Sequence, residues 1–166
     1  TERFFQEEIV KNLSPKNLKN IQREGIGQKI FIENLKEAPE LEKEIRKIGN
    51  LQIVEVENPK EALEKQKIQI HLIVPKNFKK NLLLKEKIFL KTNLKIININ
   101  TLICFLKLNR IIESYNQKIS TLKISNAKIK LEINNFAKPS EFIGFIIGLI
   151  FPIFALFWLM MGGNSI

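Results

Sequence analysis

FIGFIIGLIFPIFALFWLMM, residues 142–161, is the stretch of sequence that decides the class of this protein. It carries no charge, and the indole nitrogen of Trp158 is its only polar side-chain atom. About 20 apolar residues are needed for a helix to cross a hydrocarbon core of about 30 Å, where its backbone hydrogen bonds close internally. The stretch therefore predicts a membrane-spanning helix. A buried helix of a larger soluble protein is the disfavoured alternative, because such helices rarely run this long without a charge.

Small residues and a proline inside this stretch add detail to the predicted span. Gly144 and Gly148 stand four positions apart, the spacing at which small residues allow two membrane helices to approach closely, so they form the predicted packing face. Pro152 has no amide hydrogen and frees a carbonyl group, which predicts a kink. Gly162 and Gly163 extend the run at its end.

Charged residues are confined to the rest of the chain. The last one is Glu141, so residues 1–141 hold all 27 basic and 17 acidic side chains and a net charge of +10. Nearly all the basic residues are lysines interspersed with glutamates, whereas specific phosphate and base recognition favours arginine. The pattern favours a solvated lysine surface, with no nucleic acid as partner.

The region before the predicted span alternates between strand-like and helix-like patterns. The predicted strands are residues 29–33, 51–56, 68–74 and 87–91. Pro39 and Pro59 stand at first helical positions of two intervening helices, and Asn58 is the predicted N-cap of the second. Phe78 and Leu82 mark the apolar face of a third short helix.

The longest periodic segment lies between residues 100 and 126. Its apolar residues recur every three or four positions, which predicts an amphipathic helix of about seven turns. Alternation over residues 127–134 predicts a further strand. The order of elements favours right-handed crossovers between parallel strands. The predicted fold class is α/β, with a mixed, mostly parallel sheet of four to five strands, flanking helices, one long amphipathic helix and a C-terminal transmembrane helix.

Residues suited to catalysis or metal binding are sparse. His71 is the only histidine and Cys104 the only cysteine, so neither a disulfide nor a zinc site is predicted. His71 alternates with Ile70 and Leu72, which predicts that it faces solvent. Cys104 is predicted to be a small core residue. No nucleophile–base pair is recognisable, and we predict no catalytic, cofactor or metal site.

A series of local features continues from about residue 28 to residue 163. Its members are Pro39 after the first strand, the helix start at 58–63, Pro75 with Phe78 three positions on, Arg110 and Tyr115 in the long helix, the strand near 126–135, and Pro152, Gly162 and Gly163 in the apolar helix. In this order and spacing the chain resembles the extracytoplasmic domain of type-2 ATP-binding-cassette exporter permeases, in the branch that includes sodium-efflux permeases. In that family the domain is inserted between the first and second membrane helices.

The resemblance implies three parts of the chain: residues 1–27 as a helical lead-in after a missing first span, residues 28–138 as an extracytoplasmic α/β domain, and residues 139–166 as a truncated membrane helix. The named motif residues would be structural. The parent would be a multi-pass protein of the cytoplasmic (inner) membrane, with the lipid bilayer, a second permease copy and an ATP-binding-cassette ATPase as partners. Hydrolysis would occur in the ATPase, so this chain would not be an enzyme, and its outer domain would gate or shape the exit path.

Two other functions remain open from the sequence. The chain could be a binding or sensor domain anchored by a single span, with no transport role. It could also be a membrane-tethered binder of nucleic acid or anionic lipid that uses its lysines.

Overall fold

The computed structural model describes residues 27–48, 50–84 and 86–162. The predicted lead-in lies outside the described residues, apart from Gly27. The elements in chain order are β1 (Gln28–Glu33), a 3-10 helix (Leu35–Glu37), α1 (Pro39–Lys47), β2 (Leu51–Ile53), α2 (Pro59–Glu64), β3 (Ile70–Ile73), α3 (Phe78–Leu84), β4 (Ile88–Leu94), α4 (Ile99–Thr121), β5 (Ile129–Asn135) and α5 (Pro139–Gly162).

The described strands form one mixed sheet in the order β2-β1-β3-β4-β5. β1 is parallel to both β2 and β3, and β4 is parallel to β5. β3 and β4 are antiparallel, although α3 connects them. The predicted α/β class with a mixed, mostly parallel sheet is therefore confirmed.

Asparagine side chains cap two of the helices. The Glu61 amide donates to Asn58 Oδ1 at 3.3 Å at the start of α2, as the sequence predicts. The Thr101 amide donates to Asn98 Oδ1 at 2.9 Å at the start of α4. Each cap satisfies one of the amide groups that the first turn of a helix leaves without an intrahelical partner.

Three strands differ from their predicted length by two residues or more: β2 and β3 are shorter, and β4 is longer. β2 ends at Ile53; the Val54 amide still donates to the Ile30 carbonyl oxygen at 3.0 Å, and Val54 and Val56 pack against the small cluster under α2. β4 continues past residue 91 to Leu94 because β5 offers it a parallel partner along its whole length. The ends of β2 and β4 are not visible in the local sequence, since they depend on what lies beside each strand.

The main core lies on one face of the sheet, beneath α1 and α4. It is built from alternate strand residues and from the apolar faces of the two helices, including Ile30, Leu72, Leu90, Leu94, Leu41, Ile45, Leu108 and Ile112. A smaller cluster under α2 occupies the other face and includes Phe31 with Ala62, Leu63 and Ile68. Burying an aliphatic side chain of this kind contributes roughly 1.5–3 kcal/mol, so α4 is held by the sheet and not by its own helix propensity.

Candidate membrane-facing site

The chain segments that lead to α5 lie at one end of the sheet. Ile30 pairs with Ile70, Ile70 with Leu94, and Leu94 with Asn135. This row stands near the start of β1, at the start of β3 and at the end of β4 and β5. The chain leaves it twice, from β4 into α4 and from β5 into α5. We term it the α5 end of the sheet.

α5 is the described helix that is long and apolar enough to cross a membrane. It has 24 residues, and its most apolar window has a mean hydropathy of 2.6 with none of it buried against the rest of the protein. At 1.5 Å per residue its length is about 36 Å, which exceeds a hydrocarbon core of about 30 Å. Contiguous exposed apolar surface of this extent requires a covering environment other than water.

The Asn135 side chain joins the two segments that leave the α5 end of the sheet. Its Oδ1 atom accepts a hydrogen bond from the Ile96 amide and another from the Ala137 amide, both at 3.1 Å. The Phe136 amide adds a bond of 2.8 Å to the Leu94 carbonyl oxygen. The linker from β5 to α5 is therefore fastened to the segment that follows β4.

An ionic contact reaches from the domain to the first turn of α5. Lys95 Nζ lies 3.2 Å from a carboxylate oxygen of Glu64 in α2 and 3.8 Å from one of Glu141 in α5. Glu141 also accepts a hydrogen bond from the Lys138 amide at 3.2 Å, at the positive end of the helix. Lys95, which directly follows β4, therefore contacts both α2 and α5.

Apolar side chains are exposed on the segments that enter or leave the α5 end of the sheet. Ile99, Ile103 and Leu106 recur at helical spacing on α4, and Ile133 and Phe136 come from the end of β5 and the segment after it. Their exposed fractions lie between 38% and 55%. We term these five residues the α4–β5 patch. The patch was not predicted from the sequence, although the spacing of its three α4 residues was the signal for a second apolar stripe.

His71 is buried, so the prediction that it faces solvent is wrong. Its ring stacks on Phe31 with the centroids 5.3 Å apart. Nε2 lies 3.1 Å from Glu33 Oε2, and Nδ1 lies 3.4 Å from Asn93 Nδ2. Alternation does place His71 on the face opposite the main core, but the side chains of β1 and β4 cover it there.

The thiol of Cys104 is buried in the main core, which confirms the prediction for this residue. Burial raises the pKa of the Cys104 thiol to about 12, and Lys107 opposes this weakly, so the thiol stays protonated and unreactive at neutral pH. Burial also raises the pKa of Tyr115, with smaller contributions from Glu40 and Glu44. Among the described residues, no three His, Cys, Asp or Glu side chains are placed to hold a metal ion.

The motif residues behind the family resemblance do not come together in one site. Phe78 and Tyr115 lie in the main core, and the Phe78 amide donates to the Pro75 carbonyl oxygen at 3.1 Å where β3 turns into α3. Arg110 is exposed on the outer face of α4. There it lines an open polar groove of about 740 Å³ together with residues of the segment before β5, among them Lys128.

The remaining predicted residues belong to α5. Pro152 lies inside the helix and Gly162 is its last residue, while Gly163 lies outside the described residues. A Cβ atom added at Gly144 or at Gly148 would meet no atom within 4 Å. The face that carries these two glycines is therefore open, and its role in helix packing stays a prediction.

Comparison with known proteins gives one informative result. No protein-family model matches the sequence, and no curated protein matches it. Among solved structures, the chain is similar to a domain assigned to an ABC type-2 transporter from Thermotoga maritima MSB8, with a TM-score of 0.50 and 15% sequence identity over 73% of this chain and 99% of that chain. Likeness at this identity concerns the fold alone. The chain thus shares the fold of a domain assigned to an ABC type-2 transporter.

Proposed function

We propose that this chain is part of the membrane permease of an ATP-binding-cassette exporter. The observation that carries the proposal is the direct continuation of β5 into a helix of membrane-spanning length, in a domain whose fold is similar to one assigned to an ABC type-2 transporter. Fold likeness alone does not carry function. The apolar helix supplies the second, independent argument, because it requires a lipid environment.

The junction suggests how such a domain would act. Residues 136–138 form a short linker that is held by Asn135 and by the contact between Lys95 and Glu141. A displacement of α5 during a transport cycle is thereby passed to the sheet, and a movement of the sheet is passed back. The domain, outside the membrane on the extracytoplasmic side, would gate or shape the exit path.

The remaining parts of the proposal follow from the resemblance to exporter permeases, including the sodium-efflux branch. The protein lies in the cytoplasmic membrane and pairs with a second permease copy, for which the open face at Gly144 and Gly148 is suited. A separate or fused ATPase supplies the energy. This chain itself carries no catalysis and binds no nucleic acid.

Purification of the natural gene product from its host in mild detergent tests this function. We expect an ATP-binding-cassette ATPase to be isolated with it in a fixed ratio, and ATP hydrolysis in reconstituted vesicles to fall when Asn135→Ala and Lys95→Ala together loosen the junction. The exposed Lys79→Ala is the matched control. A well-folded protein without any ATPase, or hydrolysis unaffected by the junction variants, would contradict the proposal.

The polar groove on α4 supports one alternative. With a volume of about 740 Å³ and Arg110, Glu113 and Lys128 at its walls, it has the size of a small-molecule site. In a binding or sensor domain with a single span, Arg110→Ala would abolish binding of an anionic ligand. A gene product with no further apolar spans and no associated ATPase would favour this reading.

A further inference from the structure

We propose that the α4–β5 patch (Ile99, Ile103, Leu106, Ile133 and Phe136) is a lipid-docking surface, which rests the α/β domain against the anionic surface of the bilayer that α5 enters. This inference rests on the proposed function only in that α5 spans a membrane. It adds a second membrane contact, made by the domain itself.

The position of the patch follows from the sheet register. Phe136 is three residues before α5 begins, and Ile133 is two residues before the row that pairs Leu94 with Asn135. α4 starts at the same end, so Ile99 lies in its first turn and Leu106 about 10 Å further along the axis. Amphipathic surfaces dock with their apolar side chains about 5–10 Å into the boundary between headgroups and acyl chains. The patch residues therefore all belong to segments that enter or leave the α5 end of the sheet.

Exposed lysines at the same end fit phosphate groups of lipids. Lys29 lies in the first part of β1, Lys67 precedes β3 and Lys138 precedes α5, and all three are exposed. The neighbouring carboxylates of Glu64 and Glu141 are both engaged by Lys95. Exposed lysines are typical of domain surfaces that meet anionic bilayers, since the long lysine stems allow the ammonium group to reach the phosphates.

The opposite end of the sheet offers an internal comparison. Leu83 and Leu84 at the end of α3 and Leu122 and Ile124 after α4 are exposed by 55% to 78%. They stand near the row that pairs Ile88 with Ile129, at the far end of the sheet from α5. Exposure alone therefore does not distinguish the patch. The direct chain connection from Ile133 and Phe136 into the membrane-spanning helix does, and this argument selects lipid over other partners.

The test uses the whole chain in bilayer nanodiscs that contain one copy each. An environment-sensitive fluorophore is attached to Leu106→Cys and, as the matched control, to Leu122→Cys, whose native side chains are 55% and 59% exposed. The native Cys104 is buried and does not react. We expect lipids that carry a nitroxide near the headgroup to quench the probe at 106 about twofold or more strongly than the probe at 122, and more so with anionic lipid.

Equal quenching at the two positions would overturn the inference. It would also be overturned if a nitroxide dissolved in the water quenched the probe at 106 as strongly as the probe at 122, since the patch would then face solvent. Trp158, the only tryptophan, reports separately on α5. Quenched Trp158 with an unquenched probe at 106 refutes the docking surface alone, whereas unquenched Trp158 refutes the membrane span itself.

Discussion

α4 and α5 are nearly equal in length, with 23 and 24 residues, yet they require different surroundings. α4 buries one stripe of side chains on the sheet, while Arg110 and Glu113 stand on its other face. α5 buries none of its side chains and has apolar residues all around. Length therefore does not decide whether a helix belongs to a core or to a bilayer. The distribution of apolar residues around the axis decides it.

The largest effect is expected in the core stripe of α4. Leu108 is fully buried and Leu106, two residues earlier, is 55% exposed. Leu108→Ala should lower the free energy of unfolding by about 2–5 kcal/mol, because a cavity is left, whereas Leu106→Ala should change it by no more than about 0.5 kcal/mol. Urea unfolding of the detergent-solubilised protein measures both. Equal losses would contradict the division of α4 into two faces.

A charge in the middle of α5 should have a comparable effect on a different process. Phe151→Lys should weaken membrane insertion by about 2.5–3.5 kcal/mol, because the ammonium group would lie near the bilayer centre. Resistance of the protein to alkaline extraction from membranes is the measurement. Ser140→Lys, in the first turn and outside the apolar run, is the control. If both variants stayed in the membrane equally well, α5 would not be a span.

The junction between the two helices should show a smaller effect. Asn135→Ala removes the acceptor for the Ile96 and Ala137 amides, and each such bond contributes about 0.5–1.5 kcal/mol. We expect faster hydrogen exchange at these two amides in particular. Asn134→Ala, one position earlier on an exposed site, is the matched control. Unchanged exchange would mean that α5 is not fastened through Asn135.

The smallest effect is expected from an ion pair that α4 makes with α1. Lys118 Nζ lies 2.8 Å from Glu44 Oε1 and joins α4 to α1. This hydrogen bond, followed by that from Lys47, lowers the pKa of Glu44, and the same pair raises the pKa of Lys118. The ion pair therefore stabilises the folded protein above the ordinary glutamate pKa. This stabilisation is lost as the pH falls through the lowered pKa of Glu44.

Comparing the unfolding midpoints of the native protein and Lys118→Gln tests this contribution. The variant should be slightly less stable at neutral pH, and the difference should shrink as the pH falls below the ordinary glutamate pKa and vanish once Glu44 is protonated. At strongly alkaline pH the difference should vanish as well, once Lys118 loses its proton. Lys79→Gln, at an exposed site on α3, should show no such dependence. If the unfolding midpoints of the native protein and Lys118→Gln still differed in acid, the effect would come from packing of the Lys118 side chain and not from its charge.

Local patterns were sufficient where a segment carries its own signal. The helix start at Asn58 and Pro59, the stripe of α4 and the apolar run of α5 were all predicted, since caps and periodicity depend on neighbours in sequence. The prediction for His71 failed because its burial depends on Phe31 and Asn93, which come from other strands. The junction at Asn135 was missed for the same reason.

The sequence by itself determined that an apolar helix of membrane-spanning length follows an α/β domain, because hydropathy and periodicity are properties of contiguous residues. Only the tertiary structure decided the strand order, the antiparallel pairing of β3 with β4, and the meeting of α4, β5 and α5 at one end of the sheet. Those features depend on hydrogen bonds and contacts between residues far apart in the chain. The location of the proposed lipid-docking surface depends on them in turn.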